Sequence, residues 1–238
     1  MVKPYDNNKG KKDQVSSMFN NIAPKYDFLN HFLSLGIDII WRKKLVKLLK
    51  NKNVEQILDV AAGTADLSIE LSKLKPKKIY GVDISEEMLN IGKQKVQKKN
   101  LNNLIKLEIG DSENLQFKDY TFDAVTVSFG VRNFENLEKG ISEMYRVLKS
   151  GGNLIVLEFS KPENKIFRAL YNFYFFKILP FIGRIFSKDN SAYTYLPASV
   201  DNFPSRDKFA KMLLNLGFKE IKIKNLTMGI ATVYMVEK

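Results

Sequence analysis

From residue 56 to residue 159 the chain alternates short apolar runs with longer segments whose apolar residues return at helical spacing. The runs 56–61, 78–83, 104–109, 122–128 and 153–159 predict strands, with helices over 65–74, 85–99 and 135–148. Thr64 and Ser85 stand where N-caps belong. Strands alternating with helices imply a parallel sheet. Upstream, 15–30 and 38–50 predict helices, the second with Ile39, Ile40, Leu45, Leu48 and Leu49 near helical spacing. Downstream, 208–216 predicts a helix stopped by Gly217, and 218–225 and 230–236 predict strands, the last begun after Gly229. Two closing strands on a short connection make an antiparallel pair.

The segment 161–204 breaks the alternation. Its stretch 166–182 is the most aromatic in the chain, interrupted by Arg168 and Lys177 and followed by Arg184, so it does not span a membrane. It reads as a lid on the sheet's open edge, as the greasy wall of a pocket for a long apolar substrate, or as both. The resulting division is a flexible polar N-terminus over 1–20 and a single domain over 21–238. Within that domain, 21–50 forms a helical cap and 161–204 the lid insertion.

The candidate chemistry lies at the first strand. Asp59-Val60-Ala61-Ala62-Gly63-Thr64-Ala65-Asp66 runs from a buried strand through a tight turn of small residues into a helix, and the next strand ends in Asp83. Small residues let a ligand approach the backbone, and an acid twenty residues on can accept from ribose hydroxyls. The spacing lacks the third glycine of a dinucleotide fingerprint. Instead Ala61, Gly63 and Ala65 occupy every second position, with Asp59 ahead of them supporting the loop. Taken alone, an ordinary strand–turn–helix corner would look the same. The pattern nevertheless resembles the acid-x-Gly-x-Gly-x-Gly loop of class I S-adenosylmethionine (AdoMet) methyltransferases.

Composition narrows the field. The 238 residues suit one α/β domain with an appendage. The sequence contains no cysteine, which excludes disulfides, thiolate metal sites and cysteine nucleophiles and fits a reducing cytoplasm. The first twelve residues lack the apolar core of a signal peptide. A net charge of +12 invites nucleic acid or an anionic membrane. The lysines are scattered through nearly every helix, however, and no base-stacking or groove-reading module accompanies them, so diffuse attraction to lipid is the better reading and nucleic acid is not expected.

Four further segments make the resemblance specific. Ala23-Pro24-Lys25-Tyr26-Asp27-Phe28-Leu29-Asn30, with Ser34 and Trp41 beyond it, is similar to the N-terminal signature of the ubiquinone/menaquinone biosynthesis C-methyltransferase family. Arg146-Val147-Leu148-Lys149-Ser150-Gly151-Gly152-Asn153 through Ser160 resembles its second signature, and Phe122-Asp123-Ala124 through Asn133 its motif after the fourth strand. Tyr195-Leu196-Pro197-Ala198-Ser199 with Phe203-Pro204 matches a later family pattern. The likeness covers roughly residues 16–238. Departures are Asp38 where many members carry histidine, Ala65 at the loop's last glycine position, and Ser150 in place of a common proline.

The resemblance implies a class I AdoMet-dependent, Rossmann-like α/β fold, mostly parallel with an antiparallel last strand inserted beside the fifth. It implies AdoMet-dependent C-methylation of a prenylated quinol, demethylmenaquinol to menaquinol. A dual ubiquinone and menaquinone role, or another small apolar substrate, stays open. By the same resemblance Gly63 and Thr64 cradle the methionine part of AdoMet, Asp83 holds the ribose, Asp111 and Ser112 form the adenine turn, and Ser128 completes the cofactor site. Arg132 and Asn133 are the candidates for stabilising a developing phenolate, although Arg132 could equally form a structural salt bridge. His31, the only histidine, is either a base or structural, and Tyr26 could close over the cofactor. One histidine among scattered acids offers no metal set. Peripheral contact with the inner face of the membrane and a homodimer complete the expectations.

Overall fold

The computed structural model describes residues 2–5, 8–178 and 191–238. Seven strands form one sheet: β1 (Gln56–Val60), β2 (Lys78–Asp83), β3 (Ile105–Ile109), β4 (Phe122–Ser128), β5 (Leu148–Phe159), β6 (Lys219–Leu226) and β7 (Ala231–Glu237). Their order is β3-β2-β1-β4-β5-β7-β6. β1 pairs in parallel with β2 on one side and β4 on the other, whereas β7 runs antiparallel between β5 and β6. This is the class I methyltransferase arrangement. The chain reverses its direction of winding between β1 and β4, so the loops beyond their carboxyl ends diverge and leave a crevice.

Both faces of the sheet are covered, which is why β1 and β4 read as nearly continuous apolar runs. Helices α2 (Ile37–Leu49), α3 (Asp66–Leu71) and α4 (Glu86–Lys98) pack Trp41, Leu45, Leu71 and Leu89 on one face. On the other, α5 (Leu137–Val147) brings Ile141 and Met144 against β-strand residues Leu58, Val125 and Val156. Ser85 caps α4 by accepting from the Met88 N–H, as its position predicted. Thr64 does not cap α3. That helix begins one residue later, because Ala65 adopts φ +65° and turns the chain before the helix can start.

The first helix, α1 (Lys11–Leu33), begins well inside the stretch read as a flexible polar N-terminus. Gly10 offers no side-chain cap, but Glu135, 124 residues away, accepts from the Lys11 backbone N–H at 2.7 Å. A remote carboxylate thus replaces the local signal and complements the helix dipole. Val15, Met18 and Leu29 then join a third apolar cluster with Tyr171, Phe175, Ala192 and Tyr195. Those partners come from α6 (Lys165–Phe173), the π-helical turn Tyr174–Ile178 and α7 (Ser191–Asn202), all within the lid insertion. Residues 179–182 of the aromatic run, and Arg184, lie outside the described residues. Helix α8 (Arg206–Asn215) buries Phe209 and Leu213 beneath β7, and Gly217 follows it at φ +99°. Among the described residues no helix is long and apolar enough to cross a membrane.

Candidate active site

The loop after β1 explains why small residues alternate there. Ala61, Gly63 and Ala65 all take positive φ, at +53°, +54° and +65°. Alternate residues with left-handed backbone point the intervening N–H groups toward one concavity. The alanines accept a conformation that glycine adopts at less cost, so the constraint at these positions is backbone twist rather than space for a ligand. The turn after β4 must approach closely as well: a Cβ on Gly130 would lie 2.5 Å from the Ala61 Cβ.

Asp83 ends β2 beside this loop. Its Oδ2 accepts from the Gly63 N–H and its Oδ1 from the Ser85 N–H, each at 2.8 Å. Burial raises the carboxyl above its ordinary value, against the opposing pull of the Ser85, Gly63 and Ile84 N–H groups. Each oxygen keeps a lone pair for a further donor.

Gly63 and Asp83 line one pocket with Asp111, Ser112, Ser128 and Asn133, which come from the ends of β3 and β4. Ser128 Oγ and Asn133 Oδ1 are buried without a hydrogen-bond partner among the described residues, and Ser128 Oγ fits a polar edge of a nucleoside-like group such as that of AdoMet. Helix α1 roofs this pocket with Lys12, Val15, Phe19 and Tyr26. Lys12 Nζ pairs with Asp111 Oδ2 at 2.7 Å, so the carboxylate in the turn after β3 is already engaged. Lys11 Nζ anchors the roof through the carbonyls of Arg132 and Phe134.

Thr64 stands apart from the other cofactor candidates. Its hydroxyl donates to Asp27 Oδ1 of α1 at 2.5 Å and it does not line the pocket. It belongs to a charged network joining the cap to the loop, in which Lys95 pairs with Asp27 and Asp66, and Arg42 with Asp38 and Asp66. His31 bridges the same acids, with Nδ1 2.7 Å from Asp38 and Nε2 3.5 Å from Asp66. Burial pushes the Asp38 carboxyl up, but the Ser34 hydrogen bond with Arg42 and His31 outweighs it and holds the group below its ordinary value. Ligand atoms of His31, Asp38 and Asp66 lie within 4.8 Å of one another, yet Arg42 and Lys95 already neutralise these carboxylates. The geometry is that of a structural latch.

Asp59 also faces away from the pocket. It is buried in β1, accepting from Ser68 Oγ at 2.6 Å and Thr126 Oγ1 at 3.0 Å, and burial pushes its carboxyl up to about 7.

A second cavity adjoins the first and shares Phe19, Tyr26, Phe129 and Asn133 with it. Its wall is aromatic: Trp41, Phe129 and Phe159 pack in tilted and edge-on pairs with centroids 4.5 to 6.1 Å apart. Arg132 enters it from the turn after β4. The guanidinium donates from Nη1 to Glu158 Oε1 at 2.8 Å and to the Phe129 carbonyl, and from Nε to Ser199 Oγ at 3.3 Å. Glu158 is wholly buried, and Arg132 sits 5.3 Å above the Phe159 ring centroid. Arg132 therefore forms the structural salt bridge and also lines the second cavity. Tyr195 lines the same cavity, with its hydroxyl buried and without a partner among the described residues.

Of the sequence candidates, Gly63, Asp83, Asp111, Ser112, Ser128 and Asn133 share one pocket, Arg132 reaches the adjoining cavity with Asn133, and Thr64 reaches neither. Glu158 was missed, though an acid inside the apolar run Ile155-Val156-Leu157-Glu158-Phe159 was a readable sign of a buried partner. Lys11 and Lys12 carried no signal among so many surface lysines.

The comparisons agree with this geometry. A demethylmenaquinone methyltransferase from Bacteroides fragilis is 46% identical over 238 residues, covering 100% of this chain and 97% of its own length. A ubiquinone/menaquinone biosynthesis C-methyltransferase from Geotalea daltonii is 47% identical over 230 residues, covering 96% of this chain and 97% of its own. The crystal structure of a SAM-dependent methyltransferase from Thermotoga maritima superposes with a TM-score of 0.65 at 20% identity, over 93% of this chain and 99% of that one, a likeness of fold. The ubiE/COQ5 methyltransferase family profile matches residues 7–238. Full-length matches of that kind, over an Asp83 pocket on a class I sheet, establish that the chain belongs to the ubiE/COQ5 methyltransferase family.

Proposed function

We propose that the protein methylates a ring carbon of a prenylated quinol, converting demethylmenaquinol to menaquinol with AdoMet as methyl donor. The observation that carries this reading is the adjacency of the two cavities, one built like a nucleoside pocket and the other aromatic, which share four lining residues. When bound, AdoMet supplies a methyl group activated by the sulfonium charge. Gly63, Asp83, Asp111, Ser112 and Ser128 are the residues proposed to hold it, and Thr64 serves by tying the loop to α1 through Asp27.

A quinol ring carbon becomes nucleophilic as the adjacent hydroxyl releases its proton to solvent, and charge then builds on that oxygen. After methyl transfer the ring carbon's hydrogen returns to the oxygen as a proton, restoring the quinol. Arg132 is the group proposed to stabilise the charge, held in place by Glu158 and Ser199. Asn133, shared by both cavities, aligns the ring with the methyl donor. The aromatic walls keep water out, which strengthens the electrostatic effect of one guanidinium. The relative from Bacteroides fragilis supports the naphthoquinol, whereas the equally similar one from Geotalea daltonii supports a dual role.

The prenyl tail calls for lipid nearby. Phe28, Phe32 and Leu35 at the end of α1, Ile40 on α2, and Ile166, Leu170 and Phe173 on α6 are exposed, Leu35 by 84% and Ile166 by 72%. Tyr174 ties the two regions by donating to the Leu33 carbonyl at 2.6 Å. The stretch from Lys165 to Ile178 carries three basic side chains and no acid. Apolar exposure with a positive rim suits an anionic bilayer surface.

The test uses substrate redox state. Reduced demethylmenaquinone should gain one methyl group and the oxidised quinone none, because only the quinol ring is electron-rich. Equal transfer to both, or to neither, would overturn the proposed chemistry.

A further inference from the structure

Helix α7 crosses the aromatic cavity with Tyr195 and Ser199 four residues apart, hence on one face. Ser199 is spent: its Oγ accepts from Arg132 Nε and donates to the Leu196 carbonyl at 2.8 Å. Tyr195 is not. It is only 4% exposed, and its hydroxyl has no hydrogen-bond partner among the described residues. A buried hydroxyl left unpaired is costly, and native proteins rarely keep one without a use for it.

The surroundings say what it would pair with. Tyr195 lies close enough to Arg132 and Glu158 to feel both charges. Arg132 commits Nη1 and Nε to protein acceptors, and Nη2 makes no hydrogen bond among the described residues. Asn133 Oδ1, on the wall shared with the nucleoside pocket, is an acceptor without a donor. The cavity therefore presents two idle donors and one idle acceptor amid Trp41, Phe129 and Phe159. That set complements the oxygen of an aromatic alcohol, which can accept from two donors and give its hydrogen to a third group.

Resting on the quinol reading above, we propose that the Tyr195 hydroxyl touches the substrate, donating its hydrogen to the ring oxygen beside the carbon that is methylated and sharing that oxygen with Arg132. Burial pushes the Tyr195 hydroxyl up to about 12, so it stays protonated near neutrality and acts as a donor rather than a base. Its hydrogen bond strengthens as charge grows on the oxygen, so it contributes more to turnover than to substrate binding.

The test is Tyr195→Phe, which keeps the ring and removes only the unpaired oxygen. The variant should bind AdoMet as tightly as wild type and melt no lower, since no protein hydrogen bond is lost. Its kcat on reduced demethylmenaquinone should fall on the order of 10- to 100-fold. A second readout is independent of turnover. Fluorescence titration with 1-naphthol and with naphthalene should show a preference for the alcohol in wild type that shrinks in the variant. Should wild type methylate no quinol while Tyr195→Phe still loses the naphthol preference, the proposed reaction fails and the role of Tyr195 stands. Equal kcat and equal naphthol preference in both proteins, or no naphthol preference in wild type, would overturn the assignment.

Discussion

Arg132 and Glu158 form an ion pair at 2.8 Å in which the acid is completely buried and the guanidinium nearly so. A charge in such a place is tolerable only while its partner remains. Glu158→Gln should therefore destabilise the fold by about 3–5 kcal/mol, whereas Arg132→Met combined with Glu158→Gln should cost less than either change alone. Urea unfolding of the three variants checks this. Greater loss in the double variant would mean that the two residues do not act as a pair. In the proposed chemistry Arg132→Ala lowers kcat while sparing AdoMet affinity.

Asp83 makes the complementary prediction. Its two oxygens each hold one backbone N–H and have capacity for ribose hydroxyls. Asp83→Ala should weaken AdoMet binding by at least about 100-fold, because two charge-assisted hydrogen bonds disappear together. Calorimetric titration of AdoMet into the variant and into Arg132→Ala separates the two roles. If both variants lose the cofactor equally, the division between binding and chemistry is wrong.

The sheet was legible in the sequence because strands covered on both faces leave unbroken apolar runs, as in Ile57-Leu58 and Ala124-Val125. Asp83 and Gly63 were legible because the turn chemistry is local. The roof over the Asp83 pocket was not. Helix α1 starts among lysines and asparagines with no cap of its own, and only the tertiary contact from Glu135 reveals where it begins. Thr64 misled for a related reason: its place in the loop was right, but a hydroxyl can turn either way, and Asp27 claims it. The positive φ of Ala61 and Ala65 also lay beyond sequence reasoning, since alanine does not announce that conformation.

Asp59 supplies a pH dependence. Burial raises its carboxyl to about 7 from an ordinary value near 3.8. Between those values the folded protein holds a proton that the unfolded chain releases, so the contribution of Asp59 to stability is full below about pH 4 and is lost as pH rises to about 7. Asp59→Asn can keep both hydroxyl contacts and does not titrate. The stability of wild type relative to this variant should therefore fall between pH 4 and pH 7 and level off above, as read from urea midpoints. A difference that stays flat across that range would refute the shift.

The exposed apolar face should bind lipid. Wild-type protein should co-sediment with vesicles containing phosphatidylglycerol more than with neutral phosphatidylcholine vesicles, and less at high salt. Replacing both Phe32 and Leu170 by Ser should reduce sedimentation without lowering the melting temperature, because both side chains are exposed. Unchanged binding would remove this face from the interaction.

The most direct measurement gives purified protein methyl-labelled AdoMet with reduced demethylmenaquinone and, in parallel, the reduced demethylated ubiquinone precursor, and identifies products by mass spectrometry. Label on the naphthoquinol ring carbon alone is the result the account predicts, and label on both rings would instead support the dual role. Transfer to neither, with AdoMet bound, would contradict it.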